Sequence, residues 1–370
     1  MKSVSIVGGG VAGLVAAIQL ARAGISCTLF ERKSYPFHRV CGEYISNEAA
    51  PFLRSTALYP SSHSPARVNR FMLSSIDGSS QSVPLDLGGF GISRFTFDNF
   101  LFEKAIEAGA TVRLNTTVES VEFLGQSFRV STGSEIHECD VVIAAHGKRS
   151  ALDVKMKRAF THKRSPFLGV KYHVRYNHPT DLVALHNFPG GYCGVNRVEN
   201  NVVNLCYLVQ RDHLKKYGSI AAMEENVLFQ NPILEKVFSE SEFLFTKPET
   251  INEVSFETKQ PVEDHLLMIG DSAGMIAPLC GNGMAMAIHS SLLVSRVVRR
   301  FCSDGSYSRA QMEQDYIREW SRNFKTRLWV GRQIQRLFGS NGSSSLAVRL
   351  LSSRRIANII IRNTHGKPFE

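Results

Sequence analysis

Apolar and polar positions at the start of the chain follow the order strand, glycine-rich turn, helix, strand. Apolar residues over 4–7 predict a first strand, and a nearly unbroken apolar run over 14–23 predicts a helix. That helix is expected to end at Gly24, a residue type common at helix C-termini. A second strand is predicted over 26–30 and runs directly into the acidic residue Glu31. The order predicts a βαβ unit with parallel strands.

The rest of the chain alternates between strand and helix patterns and then returns to the pattern of its first third. Residues 167–209 are strand-rich and aromatic, and Asp77-Gly78 is a hairpin signal inside an earlier pair of strands. The patterns predict a hairpin over 68–85, a helix over 99–108, a strand over 111–114, a meander over 118–138, a buried strand over 139–145, a strand over 266–271 and a long helix over 284–301.

These elements predict an α/β fold built on a discontinuous Rossmann-type domain. An antiparallel or mixed sheet is inserted between its parts and covers a substrate, and a basic helical region follows. The predicted segments are 1–65, 86–165 and 250–303 for the Rossmann-type domain, 66–85 and 166–249 for the inserted sheet, and 304–370 for the helical region.

The glycines of the first turn have the spacing of a dinucleotide-binding fingerprint. Gly8 allows the tight turn, Gly10 lets the backbone approach a pyrophosphate, and Gly13 lets helix and strand pack closely. The helix that follows offers free N–H groups and a partial positive charge to the phosphates. Glu31 lies at about the distance in sequence expected for a carboxylate that binds ribose hydroxyls.

Composition excludes several classes of protein. With 370 residues, 43% hydrophobic and 21% charged, the chain suits an ordinary globular protein with two cores. No apolar run reaches the length of a membrane span, and no CxxC pair suggests a structural zinc site, so no metal is expected. Seven scattered cysteines suggest reduced thiols and a cytoplasmic location.

The net charge of +10 is concentrated near the C-terminus. The segment 321–370 has a single acid, Glu370, and such a basic region suggests an anionic partner: a membrane surface or an acidic carrier protein. Nucleic acid is not expected, because no recognition motif accompanies the charge. The basic residues of the segment are Arg322, Lys325, Arg327, Arg332, Arg336, Arg349, Arg354, Arg355, Arg362 and Lys367.

Three motifs, taken in order, resemble those of the para-hydroxybenzoate-hydroxylase-like flavoproteins. The first is the fingerprint, and the second is the strand that runs into His146-Gly147. The third is Gly270-Asp271 followed by Pro278 and Gly281-x-Gly283. The superfamily also includes geranylgeranyl reductases, whose motifs are the most similar, and flavin-dependent halogenases, whose Trp-x-Trp-x-x-Ile-Pro signature is absent here.

The resemblance implies FAD as the cofactor. Asp271 at a strand end suits ribityl or ribose hydroxyls, and the glycine-rich helix start after it suits the anionic edge of a reduced flavin. The residues expected to hold FAD are Gly8, Gly10, Ala12, Gly13, Glu31, Arg32, Arg39, Arg94, Val118, Asp271, Pro278, Gly281, Gly283 and Met284.

The segment Cys41-Gly42-Glu43 resembles the part of geranylgeranyl reductases that lies near the isoalloxazine ring. Cys41 and Glu43 are therefore the candidate catalytic residues. Cys41 would act if Arg39 favours its thiolate, and the alternative is a small thiol that only packs in a turn. Phe188 and Tyr192, in a segment that partly resembles the reductases, are expected to line an apolar substrate channel or, alternatively, to belong to the core.

Two reactions stay open for this flavoenzyme. The first is reduction of a carbon–carbon double bond in a hydrophobic prenyl or polyene substrate. The second is NAD(P)H- and O₂-dependent hydroxylation of an aromatic or lipidic substrate. His146 stands where the hydroxylases carry an aspartate associated with NAD(P)H, so the electron donor is either NAD(P)H or an external reductant. A peripheral membrane association is expected if the substrate resides in lipid.

Overall fold

The chain folds around two large sheets that share no strand. A computed structural model describes residues 2–252, 254–335, 338, 340–353 and 363–370. The strands are β1 (Ser3–Val7), β2 (Ser26–Phe30), β3 (Tyr44–Ser46), β4 (Ala66–Ser74), β5 (Ser80–Gly91), β6 (Thr111–Arg113), β7 (Val118–Phe123), β8 (Phe128–Thr132), β9 (Ile136–Cys139), β10 (Val141–Ala144), β11 (Phe167–Arg175), β12 (Leu182–Phe188), β13 (Gly191–Arg197), β14 (Val203–Gln210), β15 (Glu242–Phe243), β16 (Glu249–Asn252), β17 (Val262–Glu263) and β18 (Leu266–Met268). The helices are α1 (Val11–Arg22), α2 (Ala50–Ser55), α3 (Arg94–Glu107), α4 (Ala151–Lys155), α5 (Arg211–Tyr217), α6 (Ile220–Val227), α7 (Pro232–Glu240), α8 (Gly283–Ser303), α9 (Arg309–Gln335) and α10 (Asn341–Ser352).

The first sheet is the predicted discontinuous Rossmann-type core. Its strand order is β17-β18-β10-β1-β2-β6, and all pairs are parallel except β17 with β18. β1 pairs with β2 and β10, whereas β18 joins β10 from a point more than 120 residues further along the chain. The α/β fold class is thereby confirmed, with the core assembled from separate stretches of sequence.

Helix α1 is buried between that sheet and two other helices. Every residue from Val11 to Ile18 is buried, which explains why the sequence pattern is apolar on all sides of the helix. It packs against α3 and α8. At about 1.5–3 kcal/mol for each large aliphatic side chain removed from water, this helix anchors the core on which the glycine turn sits.

The second sheet has nine strands and corresponds to the predicted insertion. Its main path is β15-β11-β14-β13-β12-β4-β5-β3, with β16 also paired to β11. β12 and β4 are parallel and the other pairs are antiparallel, so the sheet is mixed. One face packs with residues of α6 and α7, and the other packs with Ala347 and Leu351 of α10.

The nine-stranded sheet includes strands that lie outside the segments predicted for it. Tyr44–Ser46 pairs with the end of β5, and Glu249–Asn252 pairs with β11. β5 itself continues to Gly91. The sheet therefore takes strands from stretches expected in the Rossmann-type domain, and the domain boundaries stay a prediction.

The C-terminal region is helical, and its last residues return to the Rossmann-type core. Helix α9 packs Tyr316, Trp320 and Phe324 into that core. The ring of Phe369 stacks on His289 with centroids 4.1 Å apart, and its carbonyl accepts a hydrogen bond from the backbone of Phe52. Arg336, Arg354, Arg355 and Arg362 of the predicted basic region lie outside the described residues.

No helix in the described stretches of the chain has both the length and the hydropathy needed to cross a bilayer.

Candidate active site

The glycine turn after β1 has the geometry that the fingerprint predicts. Gly8 has φ +107°, and a Cβ at this position would overlap the carbonyl oxygen of Ala145. A Cβ on Gly13 would overlap the carbonyl oxygen of Gly8, so the helix can sit this close to the strand only without a side chain. At Gly10 the nearest group is the guanidinium of Arg94, 3.7 Å away, which leaves space on the side where a pyrophosphate would bind.

Direct contacts bring the three sequence motifs together. Gly270 has φ +58° and packs against Ala12 of the fingerprint helix, whose carbonyl accepts a hydrogen bond from Ser291 of α8 at 2.7 Å. The backbone N–H of Gly147 donates to the hydroxyl of Ser272 at 2.8 Å. Motifs separated by up to about 260 residues therefore form one continuous surface at the carboxyl ends of the parallel strands, where α/β folds bind ligands.

Two helix N-termini at this surface have no side-chain cap. Gly10, which precedes α1, has no side chain, and the side chain of Asn282, which precedes α8, accepts no hydrogen bond from the first turn of its helix. The amide group of Asn282 instead donates to the carbonyl of Thr364 at 2.9 Å. Free N–H groups and the positive ends of two helix dipoles thus remain for an anionic ligand.

A chain of ion pairs leads from the second strand to the start of α3. Glu31 accepts from the backbone of Gly9 at 2.9 Å and pairs with Arg39 at 3.2 Å. Arg39 also contacts Asp98 at 3.1 Å, and Asp98 holds Arg94 by two bonds of 2.6 and 2.7 Å. Burial would lower the pKa of the Arg94 guanidinium, but Asp98 outweighs burial and raises it. Arg94 is therefore a permanent cation facing Gly10.

Cys41 is half-buried beside this cation, and its thiol is not activated. Burial raises the pKa of Cys41, although Arg94 acts in the opposite direction. Arg39, expected to favour the thiolate, is instead engaged by Glu31 and Asp98. Cys41 is therefore a protonated thiol at neutral pH, with its sulfur 3.4 Å from the backbone nitrogen of Glu43.

Glu43 lies next to Cys41 but is ionised and enclosed. Burial alone would raise the pKa of its carboxyl group, and Lys171 and His173 outweigh that effect and lower the pKa to about 2. The side chain is fully buried. The carboxylate contacts Lys171 at 2.5 Å and His173 at 2.6 Å. A carboxyl group whose pKa is lowered in this way is ionised at neutral pH and has no proton to donate.

Asp271 of the third motif is available for a ligand. Its carboxylate makes no hydrogen bond with any residue that the structure describes, and burial raises its pKa against the opposing effect of Lys259 and Lys148. The ammonium of Lys259 donates to the backbone carbonyls of Lys148 and Asp271 at 2.6 and 2.8 Å. Burial lowers the pKa of both lysines to about 8.

His146 belongs to a structural network behind the site. Its Nε2 lies 2.9 Å from Asp153. Asp153 also accepts a hydrogen bond from the backbone of Ser150, the N-cap of α4, and pairs with Arg158 at 2.8 Å. Arg158 in turn donates to the carbonyl of Ser272 at 3.1 Å. The departure from the hydroxylase pattern at His146 is thus accompanied by a buried pair that supports the third motif.

Phe188 and Tyr192 do not lie together. Phe188 packs against Tyr207 within the cluster under α6 and α7. Tyr192 belongs to the apolar cluster on the opposite face, with Leu279, and its buried hydroxyl has no hydrogen-bond partner among the described residues. The two rings therefore lie on opposite faces of the nine-stranded sheet and do not form one channel wall.

The other predicted residues occupy varied positions. Val118 and Met284 are buried in the main core, and Gly281, at φ +63°, packs against Tyr44 of β3. Arg32 and Pro278 are exposed, and no side-chain contact of either is recorded within the described residues.

The sequence patterns did not single out several groups that the site contains. Lys171 and His173 reach Glu43 from the nine-stranded sheet, and Glu199 accepts from the backbone of Ser93, which caps α3. Their partners lie about 100 residues or more away in sequence. The only signal at Lys171 is a charged residue within a run of strand residues that is otherwise largely apolar.

Two helices with uncapped N-termini beside a parallel sheet, with carboxylates at two strand ends, are typical of a dinucleotide-binding flavoprotein. The chain belongs to the family described as FAD binding domain, which matches residues 1–298. It is an FAD-dependent oxidoreductase. The space at Gly10, the free helix ends and the unpaired carboxylate of Asp271 fit this cofactor.

Known proteins with similar sequence or structure include both reductases and halogenases. Digeranylgeranylglycerophospholipid reductase 2 from Methanothermobacter thermautotrophicus is 24% identical over 375 residues, which cover 94% of this chain and 91% of that protein. A geranylgeranyl bacteriochlorophyll reductase-like protein from Thermoplasma acidophilum superposes with TM-score 0.78 at 19% identity, covering 98% and 96% of the two chains. The flavin-dependent halogenase CmlS also gives 0.78, at 18% identity and 100% and 74% coverage. Both structural similarities show the fold alone.

Proposed function

We propose that the protein reduces carbon–carbon double bonds in a hydrophobic prenyl- or polyene-type substrate. The observation that carries the proposal is Cys41, a protonated and half-buried thiol beside Arg94 at the open side of the fingerprint turn. Relatives named digeranylgeranylglycerophospholipid reductase support the same reaction class.

When bound and reduced, FAD supplies a hydride to one carbon of the double bond. The thiol of Cys41 donates the proton to the other carbon and is left as a thiolate. Arg94 stabilises that thiolate, because its guanidinium lowers the pKa of Cys41 against the effect of burial. The raised pKa of the free thiol keeps the proton in place until the substrate is bound.

A second part of the proposal concerns how such a substrate reaches the site. Between the loop 257–261 and α9 lies a cavity of about 280 Å³, and Trp320 and Leu328 form part of its apolar wall. Lys325 and Arg332 also line it, and neither has an ion pair within the described part of the chain. We propose that this basic face contacts an anionic membrane surface, with an acidic carrier protein as the alternative.

The test is an anaerobic turnover assay on the FAD-loaded protein. A polyprenyl lipid is mixed with NADPH, NADH or dithionite in separate reactions, and mass spectrometry counts the hydrogens gained by the product. We expect the wild-type product to gain two hydrogens for each double bond. We expect Cys41→Ser to bind as much FAD as the wild type but to give no such gain.

Admission of oxygen to the reduced protein distinguishes the alternative reaction. A product that gains an oxygen atom, formed only in air and with NAD(P)H, would instead establish a hydroxylase. Equal double-bond reduction by Cys41→Ser would remove the thiol from the mechanism.

A further inference from the structure

We infer that Glu43, Lys171 and His173 form a buried electrostatic lock that fixes the Cys41 loop, residues 39–43, against the nine-stranded sheet. All three are positioning residues and none touches the reacting atoms. The consequence for turnover rests on the reductase activity proposed above, whereas the lock itself can be tested without any substrate.

The carboxylate of Glu43 is contacted by three groups from two separate elements, β11 and α3. Lys171 and His173 of β11 approach its two oxygens at 2.5 and 2.6 Å, and the backbone N–H of Arg94 donates at 2.7 Å from the start of α3. Lys171 is fully buried and also donates to the carbonyl of Arg39 at 3.3 Å. One side chain thus joins the loop, the sheet and the helix that carries the Arg94 guanidinium.

Backbone geometry shows that the loop is held in place. Glu43 has φ +52°, a conformation that residues other than glycine seldom adopt and that persists where the surroundings enforce it. Side-chain amides of the same sheet hold both ends of the turn. Asn204 donates to the carbonyl of Cys41 at 3.2 Å, and Asn196 donates to the carbonyl of Glu43 at 3.4 Å.

The lock also completes a neutral series of charges along the cofactor site. The acids Glu31, Asp98 and Glu43 are each matched by a cation, in the order Arg39, Arg94 and Lys171. Removal of one member leaves its partner buried and uncompensated, which is far more costly than removal of both. Lys171 is the only cation in this series contributed by the nine-stranded sheet, so the sheet determines whether the loop stays closed.

The experiment measures how fast Cys41 reacts with iodoacetamide in the FAD-loaded protein. Peptide mass spectrometry follows Cys41 and Cys302 in the same sample, because Cys302 is also half-buried but lies on α8 at the far side of the core. In Lys171→Met and Glu43→Gln, Cys41 labelling should accelerate by about tenfold or more as the loop opens, with Cys302 unchanged. Lys171→Arg, which keeps the charge, should label more slowly than Lys171→Met.

If Cys41 is labelled at the wild-type rate in both Lys171→Met and Glu43→Gln, the lock is refuted. If neither single variant purifies in folded form, the double variant Glu43→Gln/Lys171→Met carries the test, because it leaves no unpaired charge. It should fold and show fast labelling, and wild-type labelling in the double variant would again refute the proposal. Faster labelling without reduction of any prenyl lipid would retain the lock and reject the proposed function.

Discussion

Gly10 and Gly13 occupy the same turn but depend on the absence of a side chain for different reasons. At Gly13 an added Cβ meets the backbone of Gly8, which cannot move away. At Gly10 it meets only the tip of Arg94, at 3.7 Å, an ordinary contact distance. One glycine therefore serves the fold and the other serves the ligand.

Substitutions of Gly10 and Gly13 should have different effects. Gly10→Val is expected to purify colourless with little change in melting temperature, since valine fills only the space for the pyrophosphate. Gly13→Val should lower stability by about 2–4 kcal/mol through overlap with the backbone. Flavin absorbance and thermal unfolding of the apoproteins check both, and a yellow Gly10→Val protein would refute the fingerprint assignment.

The raised pKa of Cys41 predicts its pH dependence. Because the thiolate is the reactive form, alkylation of Cys41 at pH 7 should be slower than that of glutathione. The rate should still climb above about pH 8.5, the range in which an ordinary thiol is half ionised. A labelling profile that reaches its plateau below pH 8 would show instead that the thiolate is favoured.

At the scale of elements, patterns local in sequence were predicted well and long-range pairing was not. Strand 26–30 agrees with its predicted bounds, and the hairpin around Asp77-Gly78 is present. Helix α3 begins at Arg94, five residues before the predicted start, because Phe95, Thr96 and Phe97 favour a strand by propensity while Ser93 caps a helix. The ion pairs of Glu43 depend on residues about 130 positions away, for which no local pattern exists.

The short helix α4 depends on Asp153, and this predicts an acid-sensitive contribution to stability. His146 and Arg158 oppose the effect of burial and hold the pKa of Asp153 well below its usual range. A depressed carboxyl pKa stabilises the fold above the unfolded value of about 3.9, and the contribution is lost as pH falls towards the folded value.

Asp153→Asn should therefore unfold about 3 kcal/mol more easily in urea at pH 7, because it removes the buried carboxylate that contacts both His146 and Arg158 and leaves Arg158 with Glu263 as its remaining acidic partner. The difference from the wild type should narrow below about pH 5. Asp212→Asn is the matched control, because Asp212 is 88% exposed and its pair with Lys215 contributes little. An equal loss in both variants would show that Asp153 has no special role.

At the scale of the whole molecule, the family, the fold class and the cofactor were predicted from the order of three motifs. The sequence did not predict which face of the nine-stranded sheet each aromatic ring lies on. In the β12–β13 hairpin Asn187 lies opposite Tyr192 and Phe188 lies opposite Gly191, so the rings of Phe188 and Tyr192 are on different faces. Neighbouring positions on a strand face opposite sides, so a short aromatic motif that spans a turn does not reveal which ring faces the ligand.

The basic face of α9 predicts salt-dependent membrane binding. The protein should sediment with anionic vesicles at about 0.1 M salt and be released at about 0.5 M, where exposed charges are screened. Lys325→Glu/Arg332→Glu should abolish sedimentation. Arg299→Glu/Arg322→Glu, an equal change of charge outside the cavity, should retain most of it. If both double variants lose sedimentation equally, net charge alone explains the binding and the cavity face has no special role.

The position of β18 in the first sheet sets a limit on when the protein can acquire its flavin during synthesis. The fingerprint leaves the ribosome first, but β18 and α8, which close the site over Ala12, follow only after residue 266. Until then β10 has an unpaired edge able to pair with other nascent chains. We therefore expect flavin uptake only after residue 303 has emerged from the ribosome.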